Sequence, residues 1–516
     1  MALFRSIVTV GGLTMASRVL GFIRDILIAA ILGAGMLADV FFVAFKFPNL
    51  FRRLFAEGAF NAAFVPLFAG LLEEEGEDGA RAFAEQALAV LLWALLIFVA
   101  AFELAMPLLM YGFAPGFAAT PEKFDLAILL TRVTFPYLLF ISLASLMAGV
   151  LNSLGRFAAA AATPILLNLC LIGAILGLAP LMASPAHALA WGVAGAGLTQ
   201  FVWMYVFCAR AGMPLRLRRP RLTPTVSRML KRIVPVAIGA GVYQINLLID
   251  TIIASFLPTG SISYLFFADR VNQLPLGVVG VAVGTALLPL LSRQLRAGQD
   301  VQAMDSQNRA LEFAFLLTLP AAAALMVIAH PVIAVLFERG AFGPGEVQAT
   351  AQALSVYAAG LPAYVLVKAL APGFFARGDT VTPVKAGVAA LVVNLVLNLA
   401  LMGPFLHVGI AMATVISSWL NAGLLAVILM RRGHLKIDGR LRSRLPRMAA
   451  ASVGMAVVLL LAAPGLEGML AGDLGARATA LAALVAGGLG AFAILAQGLG
   501  AANLKELKRF KKKNVS

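Results

Sequence analysis

A chain of 516 residues that is 61% hydrophobic and only 12% charged cannot be a soluble globular protein, because it has too little polar surface to meet water. Its net charge of +16 does not mark a nucleic-acid binder either, since the lysines and arginines punctuate apolar runs instead of gathering in one soluble domain. The two cysteines, Cys170 and Cys208, lie within or at the end of apolar runs, which excludes a disulfide framework and a cysteine metal site.

Repeated apolar runs of about 20 residues have the length at which a helix crosses the hydrocarbon core. They predict an all-α polytopic membrane protein of fourteen transmembrane helices, at approximately 6–32, 36–70, 84–111, 125–151, 158–180, 187–209, 229–257, 262–292, 308–336, 347–375, 382–403, 407–430, 447–464 and 477–502. The first is read as a retained span and not a cleaved leader, because Arg18, Arg24 and Asp25 interrupt it and no small-residue cleavage site follows. Spans one and two meet at Gly33-Ala34-Gly35, and Gly/Pro pairs punctuate most later gaps.

Alternate loops are basic. Arg156, the Arg210–Arg232 stretch, Arg293 to Arg309, Arg377 and Arg431–Arg447 fall on one side, while the other side is nearly bare. The positive-inside rule places the basic set, both termini and the Lys505–Lys513 tail in the cytoplasm, the tail against anionic lipid. The chain also repeats itself. Arg24-Asp25-Ile26-Leu27-Ile28 resembles Ile249-Asp250-Thr251-Ile252-Ile253, Pro136 is echoed by Pro362, and Gly155-Arg156 by Arg377-Gly378, at offsets of about 220–226 residues. Each half holds six spans, so the halves are parallel repeats of the kind common in secondary transporters. The expected organisation is an N-terminal lobe over 1–215, a C-terminal lobe over 216–435, two extra helices over 436–502 and a basic tail over 503–516.

The chemistry lies in charges placed inside apolar spans, where each costs roughly 2.5–3.5 kcal/mol at the bilayer centre. Arg18 and Arg24 differ in azimuth by about 120° on one helix, and Asp25 lies close to the azimuth of Arg18. Asp39, Lys46, Arg53 and Glu57 form one stripe on the second span, flanked by Asn49 and Arg52, and the eighth span carries Asp269, Arg270, Asn272 and Gln273. Positive charge exceeds negative, so a phosphate or carboxylate guest suits these guanidinium forks. The plainer readings are ion pairs that glue helices together and arginines such as Arg5, Arg52 and Arg53 snorkelling to headgroups. A second cluster joins Asp250 to Asn394, Asn398 and Thr414. It could bind a monovalent cation such as Na⁺ or be an ordinary interhelical hydrogen-bond set. Glu103, Gln200 and Lys368 are too isolated to assign, and the histidines have no metal spacing. No nucleotide-binding loop or nucleophile–base pair is present, which argues for a transporter and against an enzyme or an ATP-driven pump.

Ser17-Arg18-Val19-Leu20-Gly21-Phe22-Ile23-Arg24-Asp25, Gly33-Ala34-Gly35-Met36 and the run from Asp39 through Phe47-Pro48-Asn49 to Glu57-Gly58-Ala59-Phe60 resemble the signature of the MurJ (MviN) family. Ala114-Pro115-Gly116-Phe117, Ala268-Asp269-Arg270, Leu370-Ala371-Pro372-Gly373-Phe374 and Thr382-Pro383-Val384-Lys385 extend the resemblance over nearly the whole chain. The family comprises lipid II flippases of bacterial cell-wall synthesis, within the multidrug/oligosaccharidyl-lipid/polysaccharide exporter superfamily. The resemblance implies fourteen helices in two lobes plus an extra pair that borders a groove for the polyprenyl tail. It also implies a cationic cavity for the diphosphate-sugar-peptide headgroup, lined by Arg18, Arg24, Arg52 and Arg270 and supported by Asp25, Asp39 and Asn49. The family's cation site maps onto Asp250, Asn394, Asn398 and Thr414, with Asn398 a weaker ligand than an acidic residue there would be. The expected partners are lipid II and membrane lipids, with cell-wall synthesis proteins as candidates for docking on the basic loops. The expected state is a monomer in the bacterial inner membrane, with no cofactor beyond Na⁺. The alternatives are a flippase for another polyprenyl-linked glycan, a drug/cation antiporter, which would favour an acidic cavity, and a non-transporting scaffold.

Overall fold

The computed structural model describes residues 2–53 and 60–501, except for the side chains at 2–7, 234–243, 245–247, 278–279 and 281–286. The Arg5 side chain, Glu57 and the tail over 503–516 lie outside the described residues. Every regular element among these residues is helical, with one isolated bridge between Arg339 and Phe342.

The first half of the chain forms α1 (Ala2–Leu32), α2 (Met36–Phe51), α3 (Phe60–Glu74), α4 (Gly76–Phe113), α5 (Pro121–Thr134), α6 (Tyr137–Ser153), α7 (Ala158–Gly173), α8 (Pro185–Arg210) and α9 (Pro224–Ser255). There follow α10 (Ser261–Arg296), α11 (Asp300–Val327), α12 (Ala329–Phe337), α13 (Pro344–Ala359), α14 (Leu361–Phe375), α15 (Val381–Arg431), α16 (Gly439–Ala462), the short α17 (Glu467–Leu470) and α18 (Leu474–Gly498). Nine helical stretches among the described residues are long and apolar enough to cross a membrane.

Prolines explain where the helices depart from single expected spans. The 125–151 span divides into α5 and α6 at Phe135-Pro136, and the 347–375 span into α13 and α14 at Gly360, just before Pro362. A proline supplies no N–H to the helix and clashes with the carbonyl four residues earlier. These are corresponding places in the two repeats. Each repeat then ends this segment with a glycine in the left-handed region, Gly155 (φ 72°) and Gly378 (φ 76°), where a Cβ would be strained. Helix α15 contains two expected spans. Its 51 residues would reach about 76 Å if straight. Leu406 (φ 50°, ψ −131°) breaks the helix instead. The chain doubles back so sharply that a Cβ on Gly409 would stand 2.3 Å from the Leu401 carbonyl oxygen. Only glycine permits that approach.

Two compact units result, Met1–Ser263 with Arg339–Phe342, and Tyr264–Glu338 with Gly343–Ser516. This packing boundary differs from the repeat boundary near residue 216, because α9 packs on α3 and α4 of the first unit. In that unit an aromatic block sets the pitch of α2. Phe47 lies 4.5 Å from Phe113, Phe98 lies 4.1 Å from Phe102, and Phe102 stacks on Phe135 at 5.3 Å between ring centres. In the second unit α11 packs on α14 and α16, and α16 on α18. Large apolar side chains such as Leu104 (84% exposed) and Ile494 (74%) cover the outer helix faces, as a lipid solvent requires.

Candidate functional site: buried charges in the first unit

Helix α1 carries Arg24 and Asp25 as adjacent buried charges. Arg24 donates from Nε and Nη2 to Asp25 Oδ1 at 3.0 and 2.7 Å, and from Nη1 to Asn168 Oδ1 on α7 at 3.0 Å. Asn168 Nδ2 donates in turn to the Ser17 carbonyl at 2.9 Å. Gly21 keeps the helices close enough for this, since its Cβ would already meet Asn168 at 3.4 Å. Among the described residues three of the five guanidinium N–H groups are thus engaged, one on Nη1 and one on Nη2 being left over. Arg24 is therefore not the unneutralised cation that the charge balance suggested, since Asp25 is its counter-ion. What remains is an oriented pair of donors. Arg18, six residues earlier, is exposed and has no ion pair among the described residues.

On α2, Asn49 Nδ2 donates to the Phe45 carbonyl at 2.9 Å, and Arg52 Nε donates to Asn49 Oδ1 at 2.9 Å. Asn49 thereby orients the Arg52 fork. Lys46 donates to Thr251 on α9.

Asp39, buried at the start of α2, holds a different set. Its Oδ2 accepts from Lys123 Nζ at 3.1 Å and from Gly260 N at 2.8 Å, and its Oδ1 from Ser263 N at 3.0 Å and Ser263 Oγ at 2.7 Å. Those four bonds fill the acceptor capacity of a carboxylate. Asp39 thus caps the first turn of α10, where an anion is favoured by the helix dipole. Lys123, also buried, lies 4.2 Å from the centre of the Phe117 ring. In the same unit, Ala341 N donates to the Ala30 carbonyl at 2.8 Å, and a Cβ on Gly340 would stand 2.1 Å from that oxygen.

The second unit holds Arg270, half-buried, with its guanidinium 5.1 Å from the centre of the Phe266 ring, while Gln273 donates to Asp269 one turn away. It also holds the amide part of the expected cation cluster. Asn394 and Asn398 are fully buried, and Asn398 Nδ2 donates to Asn394 Oδ1 at 3.0 Å. The Thr414 hydroxyl donates to the Ile410 carbonyl of its own helix at 3.0 Å. Asp250 belongs to the first unit. Neutral oxygens alone fit a monovalent ion better than a divalent one. No group of three His, Cys, Asp or Glu among the described residues could hold a metal.

The charge pattern alone did not reveal Asn168, Lys123, Thr251 or Ser263. Asn168 is signalled only as the one amide in an apolar segment, Pro164-Ile165-Leu166-Leu167-Asn168-Leu169, and Lys123 stands in the sequence among the charges Glu122 and Asp125, which gives it no distinguishing signal.

Residues 28–470 match the family description "Lipid II flippase MurJ". The chain belongs to the MurJ family. A relative from Rhizobium meliloti, named as a probable lipid II flippase MurJ, is 47% identical, over 100% of this chain and 97% of its own length. The lipid II flippase MurJ of Burkholderia cenocepacia is 38% identical, over 84% and 85%. Among solved structures, a lipid II flippase MurJ in an inward closed conformation superposes with a TM-score of 0.78 at 25% identity, covering 95% of this chain and 99% of that one. An inward-facing multidrug-resistance MATE transporter of the MOP superfamily shares the fold, with a TM-score of 0.69 at 14% identity over 82% of this chain and 97% of its own. Within the MurJ match fall Arg52, Asp39, Asn49, Arg270 and the Asp250 and Asn394 clusters, whereas Arg18, Arg24 and Asp25 precede its first matched residue.

Proposed function

We propose that this chain flips lipid II from the cytoplasmic to the outer leaflet of the bacterial inner membrane by alternating access. The observation that carries the chemistry is Arg24, buried and held by Asp25 and Asn168 with two N–H groups to spare. A diphosphate oxygen pair is the guest that such a fork suits. Arg18 and Arg52 of the same unit add donors for the headgroup, and Arg270 is the candidate cation of the second unit. Asn49 and Asp25 are the groups that aim them. Asp39 does not bind substrate in this reading. With Lys123 it holds the α2 and α10 ends that must part and re-form during the cycle.

The polyprenyl chain stays in lipid, so only the polar headgroup needs a protected path. Binding must favour one state over the other for the cycle to turn. An inside-negative potential helps, at about 2.3 kcal/mol per elementary charge per 100 mV. It drives the dianion outward and draws the emptied cationic site back. Na⁺ coupling, with the neutral oxygens of Asn394, Asn398 and Thr414 in the second unit as its candidate ligands, is an addition to that drive. Both termini are cytoplasmic, the protein works as a monomer, and the chemistry is transport and not catalysis.

Depletion in living cells tests the assignment. Lipid II then accumulates in the inner leaflet and wall synthesis stops. Normal outer-leaflet lipid II after depletion overturns the assignment.

A further inference from the structure

The segment from Gly212 to Thr223, which joins α8 to α9, lies along the cytoplasmic end of α4 as an extended strap. Arg81 Nη2 donates to the Gly212 carbonyl at 3.0 Å, Arg216 N donates to Glu85 Oε1 at 3.0 Å, and Arg221 N donates to Gln86 Oε1 at 3.1 Å. Arg218 Nε pairs with the buried Glu85 Oε2 at 2.5 Å, and Met213 and Leu215 are buried beneath. The strap is therefore fixed by its backbone, by two apolar anchors and by one arginine.

That way of fixing it leaves a patterned outer surface. The side chains of Arg216, Arg219 and Arg221 are exposed, because the main chain of Arg216 and Arg221 makes the holding bonds. Beside them Leu217 is 62% exposed and Leu222, next after Arg221, 70%. Leu222 precedes the α9 N-cap, Thr223, whose hydroxyl accepts from Val226 N at 3.3 Å. A hydrophobic residue at that place commonly staples to the fourth helical position, but here that position is Ser227, so Leu222 has no such use.

The strap's depth supplies the rest. It begins where α8 ends at Arg210, finishes where α9 starts at Pro224, and is tied to residues 81–86, just before the long apolar run of α4 begins. Leucines and arginines presented together at the end of membrane helices meet headgroups on one side and acyl chains on the other. We propose that this strap is a binding surface for anionic phospholipid headgroups. Arg216, Arg219 and Arg221 take the phosphates, and Leu217 and Leu222 enter the acyl boundary. The inference is independent of which lipid-linked substrate is flipped.

The test uses the full chain in nanodiscs of phosphatidylcholine with and without phosphatidylglycerol. An environment-sensitive fluorophore is placed at Leu217→Cys in a Cys170→Ser, Cys208→Ala background. Emission shifts to the blue and is quenched by headgroup-proximal nitroxide lipids when phosphatidylglycerol is present, and salt reverses part of the shift. Replacing Arg216, Arg219 and Arg221 by Gln lowers the phosphatidylglycerol retained on the purified protein about fivefold per arginine. Water-like emission in both lipids overturns the proposal, including the case in which a soluble acidic partner covers the strap. So does a blue shift indifferent to phosphatidylglycerol and to salt, a comparison made on the protein with its arginines intact.

Discussion

Arg24 on α1 and Asn168 on α7 are bonded at 3.0 Å, and the same asparagine holds the Ser17 carbonyl about two turns earlier on α1. One amide therefore fixes both the guanidinium and the helix that carries it. Asn168→Ala is expected to leave Arg24 paired with Asp25 alone and to weaken lipid II binding by roughly tenfold or more, the worth of a hydrogen bond to a charged group being about 1.5–3 kcal/mol. Asn168→Asp should weaken it further, because a second carboxylate competes for the fork. Binding of lipid II to the purified variants reads this out. Unchanged affinity in both would remove Asn168 from the site.

The Asp39 clamp makes a stability claim. Asp39→Asn leaves Lys123 buried beside a neutral amide, and breaking a buried pair in this way costs about 3–5 kcal/mol. Thermal unfolding in detergent should show a marked loss, and Asp39→Asn combined with Lys123→Met should recover part of it. Additive losses from the two changes would mean that the pair is not a unit.

Glu312 on α11 plays the corresponding part for the C-terminal helices. Arg444 Nη1 reaches it at 2.6 Å and Arg440 Nε at 3.1 Å, Arg309 also pairs with it, and Asn308 Nδ2 donates to the Lys436 carbonyl at 2.9 Å. At the other end Arg477 on α18 pairs with Glu338 at 2.9 Å. Glu312→Gln should loosen α16 from α11 while sparing the first unit. Proteolytic cleavage near residues 433–438 should quicken several-fold, and an unchanged cleavage rate would contradict the staple.

The loop cluster at the ends of α14 and α15 predicts an acid response. Hydrogen bonds from Thr382 and Arg432 hold the Asp379 carboxyl well below its ordinary value of 3.8, while burial, with Arg377 and Arg432 nearby, lowers His434 from 6.5 despite Asp300 and Asp379. A depressed histidine binds its proton more readily when unfolded, so its contribution is complete above pH 6.5 and is lost as pH falls below that. Asp379 contributes above 3.8 and its share is lost only below that. Stability measured from pH 7.5 downward should therefore decline first through His434, and His434→Gln should flatten that limb while leaving the lower one. An identical profile in that variant would contradict the assignment.

Much of the architecture was legible because a bilayer leaves the chain few choices. Apolar length sets the spans, and Pro136 and Pro362 mark where they break. The arginines were legible as costly exceptions. Their partners were not. Asn168 lies 144 positions from Arg24 and Ser263 lies 224 from Asp39, and a spacing rule along one helix cannot reach across helices. For the same reason the sequence placed Asp39 in a stripe with Lys46 without showing Lys123, Gly260 and Ser263, to which the fold commits its acceptor capacity.

The most direct measurement is reconstitution into liposomes with labelled lipid II on one leaflet, comparing the wild type with Arg24→Ala and Arg270→Ala at a matched amount of folded protein, under an imposed inside-negative potential. The account predicts transfer by the wild type that rises with the potential and falls at least a hundredfold in either variant. Equal transfer by all three, or transfer indifferent to the potential and to every cation gradient, would contradict it.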